Sequence, residues 1–268
     1  MFSNLNHKLS ICVMIVFALT FGACHRERCE PLCLVCVIDL TRRIEAESQR
    51  EAFDAIQAAL KKLRRGDTVA IIPITGDALT DAQGRVIRLQ LNDRREAYDE
   101  DLRRFAEEVA DRLQHLRDEV ANNPYNRSDV LGAVRLAGEE MANTKPAACR
   151  ALVLLSDFLQ DDAQYNFRRD ARLANDETAA KFADSVARNQ PQVWQQSTVF
   201  LGFLRSVDLK GLPQTRRAAL QVFWREFFTR QGAVAVRSAT DGAGQVAAFV
   251  QQQREQSEPA KAGEQTKR

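Results

Sequence analysis

Histidine is nearly missing from this sequence. Its 268 residues include three, His7, His25 and His115, too few and too scattered for a histidine-rich metal centre. His7 falls in an N-terminal export pattern, and His115 in a long helical pattern where a surface position accounts for it. The shortage also removes the commonest general base. No Gly-x-x-x-x-Gly-Lys phosphate loop, Gly-x-Ser-x-Gly elbow or His-Glu-x-x-His helix occurs, so the phosphate-loop, nucleophile-elbow and zinc-protease routes lack their residues. Net charge is scarce too: 38 basic against 36 acidic side chains leave +2. Binding nucleic acid needs a basic excess gathered on one face, and no nucleic-acid partner is expected. No Pro- or Ser-rich linker and no internal repeat divides the chain.

What is present is the balance of a globular protein with a core, 45% hydrophobic and 28% charged. Ahead of it stands an address. Lys8 is the only full side-chain charge in the first ten residues, residues 11–21 run apolar, and Gly22-Ala23-Cys24 follows. This is the layout of a secretory signal. The apolar run falls short of the roughly 20 residues that span a bilayer as a helix; an uncleaved anchor or a misassigned start is the other reading. Residues 19–24 resemble the lipobox of bacterial lipoproteins, with Phe21 where leucine is usual. That resemblance implies acylation of Cys24, and acyl chains gain about 0.8 kcal/mol per buried methylene. The expected organisation is a signal at 1–23, a tether at 24–33, one folded domain at 34–252 and a disordered tail at 253–268. The tether would reach on the order of 30 Å at full extension, placing a lipid-anchored domain close to its membrane, on the periplasmic or surface side of the cell envelope. By resemblance to enterobacterial sorting, His25 after the acylated cysteine favours an outer membrane.

Of the other cysteines, Cys29, Cys33 and Cys36 have a spacing that could suggest a metal cluster, but zinc needs a fourth ligand. Cys36 sits in an apolar strand pattern and reads as core. In an oxidising compartment a disulfide from Cys149 to Cys29 or Cys33 is the simpler expectation.

Leu34-Val35-Cys36-Val37-Ile38 and Ala151-Leu152-Val153-Leu154-Leu155 are continuous apolar runs, as strands buried on both faces should be. Further strands are read at 69–74, at 86–91 as an interrupted edge, at 198–203 and at 233–236. Between them lie helical patterns: Phe53, Ile56, Leu60 and Leu63; Tyr98 to Val120; Val130, Val134, Ala137 and Met141; a polar stretch near 170–188; an aromatic face of Leu220, Phe223, Trp224, Phe227 and Phe228; and a last helix near Val246, Phe249 and Val250. Strands alternating with amphipathic helices predict an α/β fold of three layers, a mostly parallel central sheet with one antiparallel edge strand and helices on both faces.

Ligands bind such sheets at the carboxyl ends of the strands, where strand order reverses. Two strands end there in aspartate, Asp39 and Asp157, and Ser128-Asp129 opens a helix between them in sequence. Asp39-Leu40-Thr41-Arg42-Arg43, Ser128-Asp129-Val130-Leu131-Gly132 and Leu155-Ser156-Asp157-Phe158, in that order, resemble the three motifs of a von Willebrand factor A-type domain, across roughly residues 33–250. The resemblance implies a metal-ion-dependent adhesion site in which Asp39, Thr41, Ser128 and Asp157 hold Mg²⁺ or Mn²⁺ and a partner's carboxylate completes the shell; hard divalent ions prefer oxygen donors. It also puts the first and fourth strands side by side, with Cys33 and Cys149 near their starts, so that a bridge between them is implied.

Arg43 departs from the family motif, standing where a second serine belongs. It removes one oxygen ligand and adds positive charge; it either turns to solvent or pairs with Asp39 or Asp157 in the ion's place. Structural readings exist for each residue: Ser128 as a helix N-cap, Asp129 as a helix start, the strand-end aspartates as caps of their own loops. The expected function is an envelope-anchored, non-enzymatic module that recognises a protein partner through the metal site. The alternatives are a metal-free scaffold with Arg43 replacing the ion, and a metal-dependent hydrolase built on the Asp39 and Asp157 pair. The charged stretch from Asp161 to Asn189 either covers the site or forms a partner surface.

Overall fold

Strands β1 (Leu32–Asp39) and β4 (Cys149–Ser156) are buried along nearly their whole length, and only central places in a sheet covered on both faces satisfy that. In the computed structural model, which describes residues 31–81, 83–91, 98–122, 125–144, 149–240 and 243–255, these two strands are neighbours. With β2 (Thr68–Ile74), β3 (Ile87–Gln90), β5 (Ser197–Phe203) and β6 (Ala235–Ala239) they form a six-stranded sheet of order β3-β2-β1-β4-β5-β6. Every neighbouring pair is parallel except β2 with β3, so the antiparallel strand is an edge, as expected.

Alternation along β1 sorts the core into two halves. Val35 and Val37 face a layer built from α4 (Val130–Asn143), α5 (Asp176–Arg188) and α7 (Gln214–Arg230). Leu34, Cys36 and Ile38 face α1 (Ala46–Leu60), α3 (Tyr98–Asn122) and α8 (Val246–Glu255). One-turn helices α2 (Ala78–Asp81) and α6 (Val207–Lys210) follow β2 and β5. The aromatic face of α7 is the densest packing: Phe223 meets Phe167 and Phe182 edge-on or tilted, with ring centroids 4.7 and 5.1 Å away, arrangements that aromatic quadrupoles favour. Gly66 and Gly232 stand at turns where φ is positive, +79° and +91°, a region that glycine enters without steric cost.

Several expectations shift. The last strand runs over 235–239 rather than 233–236, because Arg237 and Ser238 of this edge strand break the apolar pattern. Leu32 and Cys33 belong to β1, not to a tether. The last helix continues to Glu255 and buries Gln253 and Arg254 where a tail was expected from 253; Arg254 enters the interior because Asp67 meets its guanidinium there. The stretch after Asp161 has two faces: Phe167, Leu173 and Phe182 are buried against α7, while most of its residues are exposed.

Of the two expected pairings of Cys149, the one to Cys33 fails for a reason of register. Cys149 lies beside Leu32, while Cys33 lies beside Arg150. Successive side chains point to opposite faces, so Cys33 and Cys149 belong to different halves of the core. Cys33 and Cys36 are free thiols, and Cys149 is disulfide-bonded. The Cys33–Cys149 bridge is not formed, and Cys33 and Cys36, on opposite faces, cannot share an ion. Burial pushes the Cys36 thiol up to about 12. Cys29, the other candidate partner, lies outside the described residues, as do the export pattern, Cys24 and His25. Among the described residues, no helix is long and apolar enough to cross a membrane.

Candidate functional site

Strand order reverses between β1 and β4: the chain leaves β1 toward β2 on one side, and β5 and β6 extend the other. A crevice opens at the carboxyl ends of such a pair. The register sets Ile38 beside Leu155, which brings Asp39 next to Ser156 and Asp157. The loop entering α4 carries Ser128 to the same place.

Four of these groups form one hydrogen-bonded chain. Ser128 Oγ donates to Thr41 Oγ1 (3.1 Å), and Thr41 Oγ1 donates to Asp39 Oδ1 (2.8 Å), which also accepts the Thr41 amide (3.0 Å). Ser156 Oγ donates to Asp39 Oδ2 (2.7 Å) and accepts the amide of Phe158 (2.9 Å). Asp39, Thr41, Ser128, Ser156 and Asp157 are all fully buried. The structure therefore brings together all four residues of the expected ligand set.

The helix start divides the labour between neighbours. Asp129, not Ser128, is the N-cap of α4: its Oδ1 accepts the Gly132 amide (2.9 Å) and Gln160 Nε2 (3.0 Å), and its Oδ2 accepts the Ala78 amide (3.1 Å). A β-carbon at Gly132 would lie 2.0 Å from Asp129 Oδ2, so the cap requires glycine there. With its own acceptors taken up, Asp129 is architecture, and Ser128 is left to face Thr41.

Asp157 is the exception in this network. Its Oδ1 accepts the Leu159 amide (3.0 Å), while Oδ2 is buried with no hydrogen-bond partner. The Ser206 hydroxyl lies near enough to lower its pKa but not in a full hydrogen bond. Burial and the Asp39 charge outweigh this and push Asp157 up to about 7; burial raises Asp39 as well, against the Ser156 and Thr41 hydrogen bonds. Two carboxylates taken out of water beside each other cost several kcal/mol unless a proton or a cation intervenes.

Arg43 does not supply that cation. Its guanidinium ion-pairs with Asp161, donates to the Asn126 carbonyl (3.0 Å) and lies 3.8 Å from Asp208. It lowers both site pKa values from a distance, but it pairs with neither Asp39 nor Asp157, contrary to the reading in which it takes the ion's place. Geometry explains the choice: Asp161 also donates its amide to the Ser128 carbonyl (2.9 Å), which holds its carboxylate at the rim, within reach of the guanidinium.

Sequence reasoning missed three contributors. Ser156 was legible only as a strand end. Gln160 is buried and fixes the α4 entrance by accepting the Leu131 amide (2.8 Å). Phe158 adopts φ +63°, a conformation costing a bulky residue about 1–3 kcal/mol. It is held by Phe203 at 4.2 Å between centroids and by Trp224 Nε1, which donates to its carbonyl (3.1 Å). No sequence signal marks that turn.

The donor set is carboxylate and hydroxyl oxygen, one carboxylate oxygen is buried without a partner, and the pair lacks a countercharge. These residues fit a hard divalent cation.

No family model matches the chain, and no curated protein matches it. Solved structures do. A mutant of the PilB minor pilin from Streptococcus sanguinis superposes with a TM-score of 0.51 at 9% identity, over 84% of this chain and 61% of that one. An aerotolerance-related membrane protein from Bacteroides fragilis gives 0.42 at 12% identity, over 84% and 99%. A von Willebrand factor type A protein from Catenulispora acidiphila gives 0.37 at 14%, over 84% and 42%. This chain thus spans about three fifths of the pilin. At such identities a likeness carries the fold alone, and what this chain shares with the pilin is a layered α/β architecture.

Proposed function

We propose that this chain is a protein-binding module of the von Willebrand factor A type, in which Asp39, Thr41, Ser128 and Asp157 hold a Mg²⁺- or Mn²⁺-class ion that engages a carboxylate of the partner. The observation that carries this reading is the buried, unpartnered Oδ2 of Asp157 beside the Asp39 carboxylate, at the switch point of the sheet. A purely structural aspartate would have its acceptors filled, as Asp129 does. The bound ion would supply positive charge and open coordination positions; the chain's own residues orient it through the Ser128–Thr41–Asp39 relay. The site holds no histidine, the commonest general base, so turnover would have to rest on Asp157 alone, and recognition is the favoured reading. The N-terminal pattern ending at Cys24 adds a lipid anchor to the reading and puts the module on the cell envelope.

The test is a thermal-shift titration of the mature chain with Mg²⁺ and Mn²⁺, with Asp157→Ala beside it. At a hundredfold excess over Kd, binding stabilises by about 2.7 kcal/mol. A shift in the wild type that vanishes in the variant is the expected result. No shift at millimolar metal would sink the ion site and leave a metal-free scaffold.

A further inference from the structure

Arginines on this surface commonly hold a carboxylate: Arg103 and Arg112 on α3, Arg135 on α4, Arg188 on α5 and Arg205 after β5 all do. Among the described residues several others hold none, and three of these stand together. Arg42 in the loop after β1, Arg50 on α1 and Arg117 on α3 are exposed, and among the described residues no carboxylate meets any of them. All three line one cleft of about 660 Å³. Its floor includes the buried Leu40 and Phe53, and its rim carries Val207, 74% exposed and one of the two large apolar side chains most open to solvent among the described residues. The one acidic lining residue, Glu45, is already held by Lys210 at 2.5 Å. The cleft therefore presents unneutralised positive charge around an apolar floor, and it adjoins the ion site, since Arg42 follows Thr41.

We propose that this cleft docks an acidic segment of the protein partner, with carboxylates for Arg42, Arg50 and Arg117 and an apolar side chain for the floor. This rests on the reading of the chain as a protein-binding module, not on the ion. Guanidinium forks match carboxylates in paired hydrogen bonds, and a polar rim around an apolar centre is the ordinary anatomy of a protein interface. Concavity favours a peptide over a bilayer: the buried floor is within reach of an inserted side chain, whereas a flat headgroup surface meets only the rim. Uncompensated charge of one sign also speeds encounter with an opposite partner and makes it salt-sensitive.

Fluorescence anisotropy of the full mature chain with a fluorescein-labelled peptide alternating Glu and Leu tests this, with a Gln–Leu peptide, anionic phosphatidylglycerol vesicles and inorganic polyphosphate as competing probes. EDTA is present throughout, so the ion site cannot contribute. The double variant Arg50→Glu/Arg117→Glu spares Arg42, next to the ligand Thr41. The expected result is salt-sensitive binding of the Glu–Leu peptide, weakened about tenfold or more in the variant, with no binding of the Gln–Leu peptide and the Mg²⁺ thermal shift retained. Equal binding by the variant overturns the proposal, as does absence of peptide binding. Arginine-dependent binding of vesicles or polyphosphate without the peptide overturns it too, in favour of a different anion. Loss of the Mg²⁺ shift in Asp157→Ala bears on the ion site alone, so the two readings fail separately.

Discussion

Each end of the sheet buries aspartate, under opposite conditions. At the amino end, Asp67 accepts the amides of Leu32 (2.8 Å) and Arg64 (2.6 Å) and ion-pairs with the buried guanidinium of Arg254. At the carboxyl end, Asp39 accepts two hydroxyls and one amide and Asp157 one amide, one carboxylate oxygen has no partner, and the nearby Arg43 is turned to Asp161. A buried acid with its cation built in ties elements together, here α8 to the start of β1 and the turn before β2. A buried acid left short of positive charge takes it up as a proton or as a bound cation. The difference between a joint and a site lies in that balance, not in burial.

The largest expected effect is at the joint. Arg254→Met leaves Asp67 buried without its cation, and the loss should be about 3–5 kcal/mol in urea denaturation. Adding Asp67→Asn should recover part of it. A loss below about 1 kcal/mol for the single variant would break the contrast, because Asp67 would then be no better compensated than Asp157.

At the site the sign reverses. Asp157 is raised from 3.8 to about 7, so the folded protein holds this proton more tightly than the unfolded chain. The resulting stability is complete below about pH 4 and is lost as pH rises through about 7. In EDTA, Asp157→Asn should therefore gain on the wild type from pH 5 to 8, ending more stable by a few kcal/mol. Saturating Mg²⁺ at pH 8 should reverse the order, since the wild type alone gains from it. Parallel stability curves for the two proteins would show that the pair is not strained.

The smallest effect belongs to Arg43. Its pair with Asp161 is partly solvated, with side chains 20% and 17% exposed, so Arg43→Ser should cost under about 1 kcal/mol. Removing the charge and adding a hydroxyl should nonetheless tighten Mg²⁺ binding severalfold at low salt, seen as a lower midpoint in the thermal-shift titration. An unchanged midpoint would mean that Arg43 does not act on the site through its field.

The joint and the site were not equally legible. Asp39 and Asp157 stand at the ends of unbroken apolar runs, and Ser128 at a helix start, so the chain itself points to them and to the parallel sheet. Asp67 reads only as part of a turn, and its partner Arg254 lies in a segment polar enough to pass for a tail. Nothing local in either stretch signals the other, because an ion pair between distant segments leaves no periodicity behind. Cys149 is disulfide-bonded as expected, but its pairing with Cys33 failed on a single residue of register, a detail that strand prediction does not reach. Phe158 was invisible for a related reason: its left-handed turn is imposed by Trp224 and Phe203 from other elements, against the preference of its own side chain.

That turn gives the molecule an optical property. The indole of Trp224 is hydrogen-bonded to the carbonyl of the residue that follows Asp157. Indole emission shifts with the local electric field, so neutralising Asp157, whether by a proton or an ion, should alter the colour of its light, a change that emission spectra across a pH or Mg²⁺ titration would check. The second tryptophan, Trp194, packs against Phe228, and replacing it by phenylalanine would leave one emitter. The protein then carries its own dye, bonded one residue away from the carboxylate whose charge it reports.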